Sequence, residues 1–130
     1  MSEDVKARCE ETNIEAVQRW AADNQLDVIF PQADELFLDI DNFSSSLVYE
    51  ENKDLVDQSH GILGVVVSDS RSGQGKKHYV VKLKRPVTTI ERIALQAILG
   101  SDRRREANSL RRHILDGELT PTLFFEKKCS

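Results

Sequence analysis

The stretch Leu36-Phe37-Leu38-Asp39-Ile40-Asp41 decides how the rest of this chain is interpreted. Its aliphatic residues alternate with a phenylalanine and two aspartates, and side chains alternate between the two faces of a β-strand. We therefore expect the aliphatic residues on a buried face, with Asp39 and Asp41 opposite. Two carboxylates on one face of a half-buried strand repel each other and lose hydration unless a cation offsets them, and a divalent metal ion suits oxygen ligands. The alternative is that the strand simply ends here, with Asp39 solvated.

The composition favours a single globular domain. The 130 residues include 39% hydrophobic and 31% charged residues, a balance typical of a packed core rather than of disorder. No apolar run approaches the roughly 20 residues that cross a bilayer, and the polar N-terminus does not resemble a signal peptide. We therefore expect a cytoplasmic protein without a membrane partner. Cys9 and Cys129 lie near opposite ends of the chain, which indicates free thiols rather than a zinc site or a disulfide framework.

Charge is distributed unevenly, although the net charge is only −4. Residues 1–59 carry most of the acid, and the basic residues cluster at 76–77, 82–85, 103–105 and 111–112. A small negative net charge excludes bulk electrostatic coating of nucleic acid, but such polarity steers a polyanion towards one region. For the run Arg103–Arg105 the alternative is a solvated helix face.

The order of elements predicts an α+β domain. A helix over 14–22 and an extended segment at 27–31 precede the central strand. Then follow a helix over 47–59, strands at 63–67 and 78–83, helices over 89–99 and 103–115, and a strand at 122–126. From residue 35 onward this is the βαββαβ order of ferredoxin-like and RNA-recognition-motif domains. Right-handed crossovers then predict an antiparallel sheet in the order fourth–first–third–second, with helices on one face.

Capping signals and hydrophobic periodicity refine this prediction. Ser44–Ser46 are expected to cap the helix over 47–59, and Thr88 with Glu91 fits a capping box for the helix over 89–99. The expected buried residues are Leu47, Val48, Leu55 and Val56 in the first of these helices, and Ala107, Leu110 and Ile114 in the last helix. We expect one structural domain, in which the tail and helix of residues 1–30 pack on a core formed by residues 31–130.

Three strands of that topology bring polar residues to one face. Alternation places His78 and Lys82 on the same face as Asp39 and Asp41, and it places Phe124 and Glu126 there from the last strand. A strand spacing of ~4.8 Å allows three carboxylates to share ions. The convergence predicts a metal site with three acidic ligands, Asp39, Asp41 and Glu126, and with His78 beside them. Exposed Phe37 and Phe124 are expected either to stack bases or to seal the sheet against the N-terminal helix or a second subunit.

These features resemble the archaeo-eukaryotic primase superfamily, which includes the primase-polymerases. That family carries an hhhDhD strand, then a glycine-bearing loop of small polar residues that ends in a histidine on a strand, then a third acidic strand. The matching stretches here are Leu36–Asp41, Ser72–His78 and Leu123–Glu126, and the likeness covers about residues 35–126. The run Leu95–Asp102 is also similar to small uncharacterised phage or prokaryotic proteins.

The resemblance implies Asp39, Asp41 and Glu126 as ligands of two divalent ions, Mg²⁺ or Mn²⁺, and His78 as a contact to the phosphates of an incoming nucleotide. Two such ions activate a 3′-hydroxyl and stabilise the departing pyrophosphate. Backbone N–H groups of the loop would approach phosphate, and Arg103–Arg105 would contact a template backbone. The phosphate-binding residues implied are Ser72, Gly73, Gly75, Lys76, Lys77 and Lys82.

The chain departs from the family pattern in three ways. Lys76 stands two residues before the histidine, where the family commonly has a small polar residue. The third acid is Glu126 rather than aspartate. Primases are normally larger, with an N-terminal module, zinc-binding elements or a helical domain, so the expected core is a minimal palm.

Three functions fit these observations. The first is a primase-like protein that binds a nucleoside triphosphate or nucleic acid, with nucleotidyl transfer in DNA replication or primer synthesis and a replication protein as partner. The second is a small metal-dependent nuclease or phosphodiesterase, in which the same acids activate water. The third is a non-catalytic module that binds nucleic acid or a protein.

Overall fold

A computed structural model of the chain describes residues 13–70, 75–117 and 124–127. These residues form an α+β fold with four helices and a three-stranded antiparallel sheet, as predicted. The elements are α1 (Asn13–Asp23), β1 (Leu26–Ile29), β2 (Glu35–Ile40), α2 (Phe43–His60), β3 (Ile62–Asp69), β4 (Lys77–Leu83), α3 (Thr89–Ile98), α4 (Arg103–Asp116) and β5 (Phe124–Lys127). The predictions for Cys9, Cys129, Ser72 and Gly73 fall outside the described residues.

Two compact units make up the chain. One contains α1, β1 and β5, and the other runs from Phe30 through α4. In the first unit β1 and β5 form an antiparallel pair, with Asp27 opposite Glu126 and Ile29 opposite Phe124. The predicted pairing of the last strand with β2 is therefore wrong, because the last strand pairs with the segment expected to be an extended lead-in. Phe124 is buried, so its predicted exposure on an open sheet face is wrong as well.

The sheet of the second unit has the strand order β2-β4-β3, which is the predicted order for these three strands. Leu38 lies opposite Tyr79, and Asp39 lies opposite His78. The aliphatic residues of β2 face a core that α2 and α3 complete, so the predicted alternation is confirmed. The buried cluster consists of Leu36, Leu38, Ile40, Tyr49, Val56, Val81, Leu83, Leu95 and Leu99.

The second face of β2 is not open to solvent along its whole length. Phe37 points away from the aliphatic core, yet it is only 2% exposed. A ring buried to this extent cannot stack on a base, so the base-stacking prediction for Phe37 is wrong. Near the end of β2 the same face becomes partly accessible at Asp39 and Asp41.

Helix α2 begins four residues before its predicted start. Asn42 is the N-cap, and its side chain accepts a hydrogen bond from the Ser45 backbone N–H at 2.9 Å, so the capping role does not belong to residues 44–46. The buried residues of α2 are Tyr49 and Val56, seven positions apart and hence on one helix face. Of the predicted inner residues Val56 is buried, whereas the other three, Leu47, Val48 and Leu55, are exposed.

The last helix buries a polar side. The capping box of Thr88 and Glu91 opens α3 as predicted. Helix α4, however, buries Glu106 and Ser109, whereas the predicted inner residues Ala107, Leu110 and Ile114 are exposed. The reason is that the polar side of α4 supplies hydrogen bonds to the edge of β2. No helix in the described ranges has both the length and the apolar character needed to cross a membrane.

Candidate metal centre

The outer edge of β2 is closed by side chains from α3 and α4 instead of by a fourth strand. Arg92 Nε donates to the Glu35 carbonyl at 3.0 Å, and Gln96 Oε1 accepts from the Phe37 backbone N–H at 2.8 Å. Arg105 Nη1 donates to the Phe37 carbonyl at 2.7 Å. These bonds use the outward backbone groups of Glu35 and Phe37 that a neighbouring strand would need. A fourth strand such as β5 therefore cannot pair with them.

The junction between α3 and α4 continues this closure up to Asp39. The Ser101 hydroxyl accepts from the Asp39 backbone N–H at 2.9 Å, and the Asp102 backbone N–H donates to the Asp39 carbonyl at 2.8 Å. Gly100 lets the same junction pack closely against α2, since it has φ +91° and an added Cβ would lie 2.6 Å from the Ser45 carbonyl oxygen. The short segment Ser101–Asp102 therefore occupies the position of a strand and carries the carboxylate of Asp102 to the end of β2.

A buried polar network holds this junction. Gln96 Nε2 donates to both carboxylate oxygens of Glu106, at 2.8 and 3.2 Å. Arg105 Nη1 donates to Glu106 Oε2 at 3.1 Å and to Ser101 Oγ at 3.2 Å. Burial raises the pKa of Glu106 and lowers the pKa of Arg105, while the attraction between the two charges opposes both shifts. A buried polar network of this kind restricts the geometry of its members, and it holds the junction that carries Asp102.

Three acids meet at the end of β2. Among the described residues, carboxylate oxygens of Asp39, Asp41 and Asp102 lie within 4.8 Å of one another, and all three side chains are half-buried. Burial raises the pKa of Asp41 to about 6, helped by its hydrogen bond to Asp102 and by the charges of Asp39 and Asp102, while the charge of Lys76 opposes the shift. At neutral pH the cluster therefore concentrates negative charge that a cation would neutralise.

The two members of the hydrogen-bonded pair shift in opposite directions. Burial alone would raise the pKa of Asp102, but the hydrogen bond from Asp41 and the backbone N–H groups of Arg104 and Arg105 hold it below its usual range. Both backbone donors belong to the first turn of α4, where the helix dipole also favours an anion. We infer that Asp102 is the ionised partner and that Asp41 carries the proton when one is bound.

His78 stands beside the cluster on the neighbouring strand. It lies directly opposite Asp39 in the ladder, and its Nε2 atom is 4.0 Å from Asp39 Oδ1. Its side chain is mostly buried, so the imidazole is held at the rim of the acids. Three carboxylates suit the oxygen preference of Mg²⁺ or Mn²⁺, and an imidazole is acceptable to Mn²⁺.

The lysines predicted to bind phosphate differ in their surroundings. Gly75 lies in the turn before β4, and the charge of Lys76, which follows it, acts on Asp41. Lys77 forms an ion pair with Asp69. Lys82 Nζ lies 2.8 Å from Asp34 Oδ1 and 3.2 Å from Gln32 Oε1. Two of the three lysines thus already have carboxylate partners, and Lys76 is the one whose charge reaches the cluster.

The third acid of the cluster is not the predicted one. Glu126 lies on β5, which pairs with β1, and its side chain is outside the described residues. Asp102 also caps α4, since its side chain accepts from the Arg104 backbone N–H at 2.9 Å. The sequence around an aspartate that only caps a helix does not differ from the sequence around one that also binds a metal ion. The sequence feature that could have distinguished the two roles is a set of polar residues on the two helices, Gln96 in α3 and Glu106 and Ser109 in α4, all of which are buried.

Function has to be inferred from this geometry. No protein-family model, no curated protein and no solved structure matches the chain.

Proposed function

We propose that Asp39, Asp41 and Asp102 bind a divalent metal ion, Mg²⁺ or Mn²⁺, and that the protein acts on nucleotide or nucleic-acid phosphate as a minimal primase-like palm. The observation that carries the proposal is the meeting of three carboxylates, from β2 and from the start of α4, within 4.8 Å of one another. A bound ion would supply Lewis-acid polarisation of a phosphate oxygen and would favour deprotonation of the attacking group.

The cluster is held rigidly by its surroundings. Both backbone groups of Asp39 are hydrogen-bonded, to Ser101 and to Asp102, and Asp102 is held in turn by the first turn of α4. Ligands that are fixed before the ion arrives cost less to organise on binding. The proposed metal site is thus supported both by its three carboxylate ligands and by their preorganisation.

His78 and Lys76 would contact the phosphate rather than the metal ion. His78 lies on the same sheet face as Asp39 and at its rim, where a protonated or neutral imidazole can donate to a phosphate oxygen. Lys76 adds positive charge beside Asp41. These positions agree with the roles that the resemblance to the primase superfamily implies.

The same geometry bears on the other two candidate functions, the nuclease and the non-catalytic binding module. A nuclease would use the same acids, so it is an outcome of the test below rather than a separate site. A non-catalytic module that stacks bases on the sheet loses its support, because both Phe37 and Phe124 are buried.

Calorimetric titration of Mn²⁺ tests the metal site. We expect binding to the unmodified protein and at least about a tenfold weaker affinity in Asp39→Ala/Asp41→Ala and in Asp102→Asn, because each variant removes ligands. The matched control is Glu51→Ala/Asp54→Ala, which removes two exposed acids of α2 and should leave binding unchanged. Binding that survives in Asp39→Ala/Asp41→Ala, with both proteins folded, would exclude the site.

Titration of a nucleoside triphosphate with and without Mn²⁺ then tests the substrate. We expect nucleotide binding that depends on the metal and weakens in His78→Ala while Mn²⁺ binding is retained. A labelled primer–template separates the two reactions, since extension requires added nucleotide and strand cleavage does not. Cleavage without nucleotide would establish the nuclease and exclude the transferase.

A further inference from the structure

Helix α4 begins at the acidic cluster and carries positive charge along its exposed side. Successive residues of a helix are turned by about 100°, so residues three, four, seven or eight positions apart share one side. The exposed residues that fall on one such side form a basic stripe, which consists of Arg104, Asn108, Arg111, Arg112 and Leu115. The buried residues Glu106 and Ser109 lie on a different side of the helix.

The first arginine of the basic stripe lies beside the metal ligands. Within the run Arg103–Arg105, Arg105 is turned inward and donates to the Phe37 carbonyl and to Glu106. Arg104 is exposed, and its charge acts on Asp102. The basic stripe therefore starts next to the acidic cluster and leads away from it along α4.

The far part of the basic stripe lines an open groove. This groove has a volume of about 340 Å³, and the described residues that line it are Asn108, Arg111, Arg112 and Leu115. Guanidinium groups present planar forks of donors that match phosphate oxygens, and the amide of Asn108 is a further donor. The side chain of Leu115 is 67% exposed. The groove thus combines donors for phosphate with an apolar surface on which a sugar or a base can pack.

The arginines of the basic stripe are not neutralised by acids of the described part of the chain. Lys77 and Lys82 on β4 form ion pairs with Asp69 and Asp34. By contrast, the side chains that the structure describes form no ion pair with the three arginines of the stripe. A row of exposed guanidinium groups without acidic partners attracts a polyanion.

The length of the basic stripe favours a chain of phosphates over a single nucleotide. Asp102 and Arg112 are ten positions apart, which corresponds to about 15 Å along a helix. A strand of a duplex advances by about 3.4 Å for each phosphate, so this distance corresponds to about four nucleotides. The phosphates of one nucleotide bound at the acidic cluster would leave Arg111 and Arg112 without a partner.

We propose that the basic stripe of α4 binds the backbone of a nucleic-acid strand and leads it to the acidic cluster. This inference rests on the proposed function, because it names the substrate of the same site as a strand rather than a free nucleotide. Phosphate is favoured over the carboxylates of an acidic protein, because the stripe starts beside a cluster that would hold a phosphate-binding metal ion. Contacts to phosphate carry no sequence information, so the strand is bound irrespective of its bases.

Fluorescence anisotropy of a labelled single-stranded oligonucleotide of about 12 nucleotides tests the basic stripe, with EDTA present so that no metal ion takes part. We expect Arg111→Gln/Arg112→Gln to weaken binding at least about tenfold at about 0.1 M salt, because each lost phosphate contact costs about fivefold through counterion release. The slope of log affinity against log salt should fall by about 1.4.

Two matched variants separate the stripe from total charge and from folding. Lys84→Gln/Arg85→Gln removes the same charge at exposed positions outside the stripe and should weaken binding less than about threefold. Arg111→Lys/Arg112→Lys retains the charge and should retain the salt slope. No oligonucleotide binding by the unmodified protein, or equal weakening by the two glutamine variants, would overturn the proposal.

Competition identifies the class of ligand. Polyglutamate of the same total charge should displace the labelled oligonucleotide at least about tenfold less well than an unlabelled oligonucleotide does, because planar guanidinium forks in a groove with an apolar wall suit a sugar-phosphate backbone. Equally effective competition by polyglutamate would assign the stripe to an acidic protein and overturn the proposal.

Mn²⁺ titration distinguishes this proposal from the proposed function. Arg111→Gln/Arg112→Gln should bind Mn²⁺ as the unmodified protein does, because neither arginine belongs to the acidic cluster. Mn²⁺ binding without oligonucleotide binding would overturn the basic stripe alone. Oligonucleotide binding through the stripe without Mn²⁺ binding would overturn the proposed function and would support the stripe as a binding surface.

Discussion

The two edges of the three-stranded sheet differ in what lies against their outward-facing backbone groups. On the β2 edge, five hydrogen bonds from α3, α4 and the junction between them use the outward backbone groups of Glu35, Phe37 and Asp39. On the β3 edge, apolar side chains are exposed and the backbone of Val65 and Val67 faces outward. Among the described residues, one edge is closed by groups of α3, α4 and their junction, and the other exposes apolar side chains.

This difference shows that a helix can take the place of a strand when it carries the right polar groups. Gln96 and Arg105 are long enough to reach the backbone of β2, and Glu106 holds both of them. The closure also carries Asp102 to Asp39 of β2 and to Asp41, which directly follows that strand. The site therefore depends on the closed edge and is independent of the open one.

The largest effect is expected from Gln96→Leu, which breaks the closed edge at its centre. The Phe37 N–H and the Glu106 carboxylate would lose a buried partner, and each unsatisfied buried group costs about 1–3 kcal/mol, so we expect a loss of about 3 kcal/mol in the free energy of unfolding. Urea denaturation measures it. Gln58→Leu, on the exposed side of α2, should change stability by less than about 0.5 kcal/mol. Equal losses in both variants would contradict the role of Gln96.

Arg105→Lys should have the next largest effect. One ammonium group cannot serve the Phe37 carbonyl, Ser101 and Glu106 in the planar arrangement of a guanidinium, so we expect a loss of about 2 kcal/mol in the free energy of unfolding. Arg104→Lys, at an exposed position of the same turn, is the control. Mn²⁺ affinity should fall only in Arg105→Lys, because Asp102 loses its support. Unchanged stability in Arg105→Lys would contradict the network.

Asp41→Asn should have the opposite sign and should stabilise the fold at pH 7.5. Burial and the neighbouring acids raise the pKa of Asp41 to about 6, so the folded state binds this proton more tightly than the unfolded state does. Its contribution to stability is present below the unfolded pKa of about 4 and is lost as pH rises through about 6. After allowance for solvent screening we expect a gain of about 1 kcal/mol.

The pH dependence provides the check on that assignment. Denaturation at pH 5.0 should show a clearly smaller difference between Asp41→Asn and the unmodified protein than denaturation at pH 7.5, because at pH 5.0 the folded state still holds the proton while the unfolded carboxyl is already largely ionised. The lowered pKa of Asp102 acts below pH 4, outside this window. A stability difference that is the same at pH 5.0 and pH 7.5 would contradict the raised pKa.

The smallest effect is expected on the open edge. Val66→Thr should change the free energy of unfolding by less than about 0.5 kcal/mol, because the side chain is already exposed in the folded state. Val81→Thr, at a fully buried position of β4, should lose about 1–3 kcal/mol because its hydroxyl has no partner in the core. Similar losses in both would mean that β3 is not an open edge.

Several parts of the fold could be predicted from local pattern. The alternation in Leu36–Asp41 predicted the buried face of β2, and the same reasoning on β4 placed His78 on the face of Asp39; the structure adds that the two residues are paired across the ladder. Both predictions succeeded because strand periodicity depends on backbone geometry and burial alone. The capping box at Thr88 was likewise predicted, because it satisfies backbone groups within a few residues.

Other features depended on contacts between distant parts of the chain. Hydrophobic periodicity assigned the wrong side of α4, since that helix meets the polar edge of a strand and not an apolar layer. The sequence by itself determined the central strand, the common face of Asp39 and Asp41, and the histidine on that face, because those follow from alternation along single strands. Only the tertiary structure decided that Asp102 is the third acid and that β5 pairs with β1. Both outcomes follow from which groups satisfy the outer edge of β2, and that choice is made across more than 50 residues of chain.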